Sequence, residues 1–150
     1  MAIRKIITLG DDRLRKVSRE VTDFGPRTQQ IIDDMIDTLD DCGNGIGLSA
    51  VQVGILRRIF IIDMKDGTGC RVFVNPRIVA TEGSAVGEEG CLSIPGRSGY
   101  VERPQKVTVE AFDRHGQAFT LTKTGLYGVC ICHEYDHLEG VLFIDREVDG

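Results

Sequence analysis

One early segment of the chain, residues 28–41, carries apolar residues at the spacing of a helix. They are Ile31, Ile32, Met35, Ile36 and Leu39. Residues three or four positions apart share one face of a helix. Pro26 and Gly43 stand where helices commonly begin and end. The pattern therefore predicts an amphipathic helix near the N-terminus, with its charged face in contact with solvent.

The middle of the chain is rich in β-branched and aromatic residues, which favour strands. The predicted strands cover residues 59–63, 70–75, 77–82, 106–112 and 118–121. The turn-forming sequence Asp66-Gly67-Thr68-Gly69 joins the first two as a hairpin, and Asn75-Pro76 is expected to end the second. Residues 113–116 turn between the last two strands. His115 lies in that turn, so we expect it to be exposed.

A segment near the C-terminus contains His133-Glu134-Tyr135-Asp136-His137. On a helix, residues four apart differ by only ~40° in direction, so both imidazoles can reach one metal ion. This H-E-x-x-H pattern is typical of metal hydrolases, in which Glu134 would act as general base. The alternative is an ordinary helix with solvated or core histidines, but two of the three histidines in the chain lie here. The motif therefore favours a metal site.

Together these elements predict an α+β fold. Antiparallel β-sheets would pack around the C-terminal metal-binding helix, with the amphipathic helix near the N-terminus. The chain has 150 residues, enough to bury one sizeable core, and we expect a single catalytic domain over residues 1–150.

Composition narrows the class of protein further. The net charge of −5, without a basic run, argues against binding to nucleic acid. Five cysteines at irregular spacing, and an N-terminus without a signal-peptide pattern, indicate a reducing, cytoplasmic setting. No apolar stretch approaches the ~20 residues of a membrane span. We therefore expect a cytoplasmic protein that does not bind a membrane.

A catalytic metal of this type needs a third protein ligand and an open position for water. The cysteine candidates are Cys91, Cys130, Cys42 and Cys70, and several carboxylates also qualify. Cys130 lies one turn from His133, where its short side chain would reach the ion only awkwardly. Cys91 lies in a predicted glycine-flanked loop that could bring its thiolate to the site, although a buried inert thiol is the alternative. The residues alone leave the third ligand open.

The motif helix also presents an apolar surface on the side of the metal. Stepping about 100° per residue from His133 places three residues there, Leu126, Val129 and Cys130. Cys132 and Tyr135 point away from it. Such a surface can be the floor of a pocket or part of an ordinary core, and the pattern alone favours core.

A glycine-rich segment, residues 43–54, follows the first helix. Gly45, Gly47 and Ala50 nominally match a dinucleotide-binding pattern, but a helix precedes them and the residues that follow predict a strand, the reverse of what that site needs. The glycines instead indicate that a ligand or another backbone approaches closely. Gln52 would lie beside that surface.

Three segments, in this order along the chain, resemble the signature motifs of peptide deformylases. They are Gly45-Ile46-Gly47-Leu48-Ser49-Ala50-Val51-Gln52, Glu89-Gly90-Cys91-Leu92-Ser93 and His133-Glu134-Tyr135-Asp136-His137. The likeness runs nearly the full chain and includes Asp12-Arg13-Leu14-Arg15 and Val74-Asn75-Pro76. The resemblance implies a metal-dependent hydrolase that removes the N-formyl group from the N-terminal methionine of newly synthesised proteins.

The resemblance also implies a role for each matching residue. The metal ligands it implies are Cys91, His133 and His137. Glu134 would be the acid and base, while the side chain of Gln52 and the N–H of Leu92 would bind the oxyanion. The substrate-binding residues it implies are Gly45, Ile46, Gly47, Gly90, Leu126, Val129 and Cys130. A peptide would pair with the first of these as an added strand.

Cofactor and partners follow from the same resemblance. It implies one divalent metal ion per chain, Fe²⁺ in the cell, with Zn²⁺, Ni²⁺ or Co²⁺ as alternatives in the isolated protein. The partners are N-formylmethionyl nascent peptides, and we expect a monomer. Some family members carry a basic C-terminal helix that docks on the ribosome, whereas residues 139–150 here hold four acidic residues against Arg146. We therefore expect at most transient contact with the ribosome.

One departure and two rival functions remain. Many members have Gln directly before the first histidine, where this chain has Cys132. Because Cys132 is expected to point away from the metal, we expect little effect on the chemistry. The rival functions are a general metallopeptidase and a binding module with a purely structural metal site.

Overall fold

The structure, a computed structural model, describes residues 2–149 and has the predicted α+β architecture. Its helices are α1 (Pro26–Cys42) and α2 (Gly125–Leu138). Its strands are β1 (Gly47–Ser49), β2 (Ile59–Asp63), β3 (Cys70–Glu82), β4 (Ala85–Cys91), β5 (Ile94–Arg103), β6 (Lys106–Phe112), β7 (Ala118–Thr124) and β8 (Glu147–Val148). Short 3₁₀ turns cover Asp12–Arg15, Ala50–Val53 and Phe143–Arg146.

A five-stranded antiparallel sheet, in the order β1-β2-β3-β6-β7, lies between the two helices. Successive residues of β2 face opposite sides of it, as strand geometry requires. Ile59 and Ile61 pack with the apolar side of α1. Phe60 and Ile62 pack with α2. The amphipathic helix and the metal-motif helix therefore cover opposite faces of one sheet.

A second sheet contains three strands in the order β4-β5-β8. The prediction of a loop around Cys91 was wrong, because Cys91 is the last residue of β4 and pairs with Ile94 of β5. The strands are hard to detect because Gly87, Glu88 and Gly90 break any apolar alternation. The hairpin brings Cys91 beside α2.

Two other predicted boundaries were also wrong. β3 does not end at Asn75-Pro76 but continues to Glu82, with a register shift between Val74 and Arg77. A bulge of this kind lets a strand pass a proline. The segment after Gly45 is not simply a strand either, since β1 is followed directly by the 3₁₀ turn that carries Gln52.

His115 is exposed in the β6–β7 turn, as predicted. Neither helix of the described chain combines the length and the apolar character needed to cross a lipid bilayer.

The N-terminal segment is fastened to α1 through the buried carboxylate of Asp34. Its Oδ1 accepts hydrogen bonds from the backbone N–H of Ala2 at 2.9 Å and from Nε2 of Gln30 at 2.8 Å. Oδ2 accepts from Nε of Arg4 at 2.8 Å. Burial by itself raises the pKa of Asp34, but these hydrogen bonds outweigh it and lower the pKa below its usual 3.8.

Asp34→Asn should therefore destabilise the protein at neutral pH, by about 1–3 kcal/mol, because hydrogen bonds to a charged group are lost. A carboxyl whose folded pKa is depressed stabilises the fold above its unfolded pKa and ceases to do so as the pH falls through the folded value. The difference between the two proteins should thus shrink below about pH 4. Urea unfolding from pH 7 to pH 3 measures it.

Asp37→Asn is the matched control, because Asp37 lies on the same helix and makes no side-chain hydrogen bond with the rest of residues 2–149. A difference between Asp34→Asn and the natural chain that stays constant with pH would contradict the assigned pKa.

Candidate metal centre

The end of β4 and the middle of α2 bring one thiol and two imidazoles together. Ligand atoms of Cys91, His133 and His137 all lie within 4.8 Å of one another. The Sγ atom of Cys91 is 3.3 Å from Nε2 of His137. Of the cysteines that the structure describes, only Cys91 joins the two histidines in such a cluster. This geometry favours Cys91 as the third residue, a choice that the spacing alone left open.

The chemistry of this cluster suits a divalent transition metal. Burial, followed by the charges of His133 and Arg103, holds the pKa of His137 well below its ordinary value. The ring is therefore neutral, the form that binds metals. Its buried Nδ1 has no hydrogen-bond partner within residues 2–149, a cost that proteins rarely accept without a ligand nearby. One thiol and two imidazoles, which lose their protons when they bind an ion, fit Zn²⁺ or Fe²⁺ and leave a coordination position open.

A chain of buried charges fixes the orientation of His133. Its Nδ1 lies 2.9 Å from Oε1 of Glu89. Both oxygens of Glu89 accept from Arg103, at 2.8 and 3.0 Å, and Nη1 of Arg103 donates to Oδ2 of Asp136 at 2.7 Å. Arg146 closes the chain with two bonds to Asp136, at 2.7 and 3.1 Å. With Nδ1 occupied by Glu89, the other ring nitrogen of His133 is turned toward the ligand cluster.

The protonation of Glu89 agrees with this arrangement. Burial raises the pKa of Glu89, but the hydrogen bonds of His133 and Arg103 outweigh it and lower the pKa to about 2. Glu89 is therefore a carboxylate at neutral pH and accepts hydrogen bonds from both partners.

Glu134 is buried beside the ligand cluster, where β1 passes close to α2. Oγ of Ser49 donates to Oε1 of Glu134 at 2.8 Å. A Cβ atom at Gly47 would come within 2.8 Å of Oε2 of Glu134 and of Sγ of Cys130. Only glycine fits there, in agreement with the expectation of a close approach at this segment. Burial raises the pKa of Glu134, although the charge of His133 and the bond from Ser49 act in the opposite direction.

Gln52 reaches the same place from the 3₁₀ turn after β1. Its Oε1 accepts from the N–H of Ser49 at 2.9 Å, which orients the amide. Nε2 donates to Oγ of Ser93 at 3.1 Å and lies 3.6 Å from Sγ of Cys91. Leu92 follows Cys91 in the turn between β4 and β5. The amide of Gln52 and the backbone of Leu92 thus flank the thiol.

A cleft of about 570 Å³ opens over these groups. Every residue that the resemblance assigned to the substrate lines it, namely Gly45, Ile46, Gly47, Gly90, Leu126, Val129 and Cys130. Leu126 is 60% exposed, so this side of α2 is a surface and not core. The preference for core drawn from the pattern alone was wrong for Leu126 and Val129. A larger depression of about 900 Å³ lies near Arg58 and Tyr135, but none of the three metal-ligand candidates lines it.

Sequence reasoning missed the residues that support the site. Ser49, Glu89, Ser93 and Asp136 stand inside the recognised motifs but had no role assigned, and neither had Arg103. The available signal was weak, since a charged residue in a strand normally indicates exposure. Cys132 is buried in the core between α2 and the sheet, on the side away from the cleft as predicted.

Known proteins similar to this chain share one name. The family model described as Polypeptide deformylase matches residues 3–149. Peptide deformylase 1 of Clostridium perfringens is 49% identical over 148 residues, which cover 99% of this chain and 100% of that protein.

Two solved structures extend the likeness to the fold. The crystal structure of a peptide deformylase from Legionella pneumophila has a TM-score of 0.94 and 46% identity, over 98% of this chain and 87% of that chain. The crystal structure of a peptide deformylase from Synechococcus elongatus, in complex with actinonin, has a TM-score of 0.91 and 40% identity. The match covers 96% of this chain and 78% of that chain. Sequence and fold therefore agree over nearly the whole chain.

Arg103→Met should destabilise the protein by about 3–5 kcal/mol, because it leaves Glu89 and Asp136 buried without their shared cation. It should also weaken Zn²⁺ binding by about 10–100-fold. The reason is that Glu89, which orients His133, would lose the guanidinium that holds it in place. Urea unfolding and competition with a chelator measure the two effects. The control is Arg77→Met, which removes an exposed ion pair with Glu110 and should cost about 0–1 kcal/mol. Equal, small losses in both variants would show that the series of buried charges is not needed for stability or metal binding.

Proposed function

This chain belongs to the polypeptide deformylase family, and we propose that the centre built by Cys91, His133, His137 and Glu134 carries out the family's reaction here. The protein is a metal-dependent hydrolase that removes the N-formyl group from the N-terminal methionine of newly synthesised proteins. The products are formate and a free methionine N-terminus. The observation that carries the assignment of residues is a buried carboxylate beside a Cys-His-His cluster at the base of an open cleft. We treat residues 1–150 as one catalytic domain, because the family match spans 3–149.

Cys91, His133 and His137 would hold the ion. When bound, a divalent ion supplies Lewis acidity, which favours ionisation of a water molecule at neutral pH. Glu134 accepts the proton of the attacking water. Because Ser49 occupies Oε1, we assign Oε2 as the atom that takes the proton and returns it to the nitrogen of the leaving amine. The raised pKa of Glu134 suits a group that must both accept and release a proton.

Gln52 and Leu92 stabilise the charge that develops on the formyl oxygen. Nε2 of Gln52 donates to the Ser93 hydroxyl and lies beside the Cys91 thiol. Both groups are weaker acceptors than an oxyanion. The N–H of Leu92 is the second donor, and one well-placed donor contributes about 3–4 kcal/mol to such a transition state.

The substrate peptide binds along the free edge of β1. Within residues 2–149 this strand pairs only with β2, so its other edge can accept an extended chain as an added strand. The methionine side chain would then rest on Leu126, Val129 and Cys130, whose apolar surface faces the cleft. Because a formyl carbon carries only hydrogen, a narrow site beside Gly47 accepts it and rejects larger acyl groups.

In the cell we propose that the ion is Fe²⁺ and that the protein acts in the cytoplasm as a monomer. The cysteines of residues 2–149 are all free thiols, which suits a reducing compartment. The substrates are N-formylmethionyl nascent peptides. The net charge of −5 makes any contact with the ribosome transient and disfavours direct binding to nucleic acid.

Glu134→Gln should keep the fold and the metal but lower kcat/KM by at least ~10²–10⁴-fold, because the amide cannot accept the proton of water. The measurements are metal per chain and hydrolysis of a formyl-Met dipeptide, with acetyl-Met dipeptide as the test for general peptidase activity. Glu102→Gln, an exposed carboxylate on β5, is the control and should behave like the natural chain. Near-normal turnover with full metal would remove Glu134 from the mechanism.

The choice of Fe²⁺ has its own test. Protein loaded anaerobically with Fe²⁺ should lose activity in air, whereas protein loaded with Zn²⁺ or Ni²⁺ should keep the activity it has. The reason is that a thiolate open to the cleft, such as Cys91, is prone to oxidation at a redox-active ion. Activity against time in air, with oxidation of Cys91 followed by mass spectrometry, measures the difference. Equal stability of the iron and zinc forms would count against iron.

A further inference from the structure

We propose that the N-terminal segment, residues 2–9, acts as a strap that sets the position of Gln52 relative to the turn carrying Leu92. Ile7 and Leu9 are its positioning residues, and they act through their backbone N–H groups. The inference rests on the proposed role of Gln52 and Leu92 as oxyanion donors. No residue of the strap lines the cleft, so it can influence the reaction only through other groups.

Two hydrogen bonds join the strap to the site. The N–H of Ile7 donates to the carbonyl of Gln52 at 2.8 Å, and the N–H of Leu9 donates to the carbonyl of Ser93 at 2.8 Å. Ile7 and Leu9 are only two residues apart, so the two bonds start from neighbouring points of the strap. The strap therefore holds the 3₁₀ turn of Gln52 at a set distance from the β4–β5 turn.

The two acceptor residues are also joined to each other on the inner side. Nε2 of Gln52 donates to Oγ of Ser93 at 3.1 Å, and both residues are fully buried. Strap, Gln52 and Ser93 thus form a closed ring of hydrogen bonds. Leu92 directly precedes Ser93, so one proposed oxyanion donor, Gln52, belongs to this ring and the other adjoins it. A shift in the strap moves one donor relative to the other.

The strap is itself held at both ends. Ala2 and Arg4 are bound to the carboxylate of Asp34 on α1, and the N–H of Arg4 donates to Oγ1 of Thr38 at 2.8 Å. The side chain of Ile7 packs in a buried cluster with Ile94, which is the first residue of β5. The strap is consequently rigid enough to impose a spacing.

The cleanest test replaces one backbone amide by an ester. An ester at Ile7 keeps the side chain and removes only the N–H that binds Gln52, and the carbonyl of Ile6 that it weakens accepts no hydrogen bond within the described residues. The matched control is an ester at Thr8, whose N–H has no partner in residues 2–149 and whose preceding carbonyl, that of Ile7, accepts none there. Both proteins are assayed as the metal-loaded full chain.

The Ile7 ester should lower kcat by about 10-fold, because small misplacements of a catalytic donor are costly. KM for a formyl-Met dipeptide and metal per chain should change little, since no residue of the strap lines the cleft or belongs to the ligand cluster. The NMR resonances of the Gln52 side-chain amide should shift, which a role in stability alone would not cause. The Thr8 ester should match the natural chain in all of these.

A double-mutant cycle shows whether the effect passes through Gln52. In a Gln52→Ala background the Ile7 ester should change kcat by less than about 2-fold, because the group it positions is gone. A native kcat for the Ile7 ester, or an equal loss in both backgrounds, would overturn the inference. If Gln52→Ala alone leaves kcat unchanged, the proposed role of Gln52 fails first and the strap's role falls with it. Should the Ile7 ester not fold, the Leu9 ester, which breaks the bond to Ser93 and also weakens the Thr8 carbonyl that accepts from Asp11, is judged by the same measurements.

Discussion

The buried charges that run from Glu89 through Arg103 and Asp136 to Arg146 are the interaction on which the site depends. Glu89 and Arg103 belong to the small sheet, whereas Asp136 belongs to α2. Removing such charges from water costs several kcal/mol for each ion, and only close pairing offsets this cost. The small sheet is therefore expected to pack against the helix in the geometry that pairs each carboxylate with a guanidinium. That geometry also places Cys91 beside His133 and His137.

Helix α2 serves packing on one side and chemistry on the other. Ile131 and Cys132 are buried against the sheet, while Leu126 and Val129 face the cleft. The passage of β1 at Gly47 leaves no space for a side chain between the strand and Glu134. Core packing thus fixes the position of the carboxylate, and Ser49 fixes its orientation. A reactive group held in this way loses little freedom when the substrate arrives.

The sequence was most informative where the spacing of residues follows the period of a helix. The helix over residues 26–42 and the placement of His133 and His137 on one face follow from helical geometry alone. Cys91 could not be assigned in that way, because its partnership with α2 is a long-range contact without periodic signal, and resemblance to a family supplied it. The strand β4 escaped detection because its buried residue is Glu89, whose burial is explained by Arg103 on another strand and by His133 on α2. Likewise, the exposure of Leu126 depends on what lies above the helix, which no pattern within the helix encodes.

The distribution of the ligand residues along the chain gives the metal a second role. Cys91 and His133 are about 40 residues apart, so an ion bound to both closes a loop of that length and restricts the unfolded chain much as a covalent cross-link does. An ion that binds the folded chain and not the unfolded one also raises stability by mass action. The fraction of molecules open to proteases would then rise when metal is scarce. In this way the supply of metal would affect how long the protein survives as well as how fast it works.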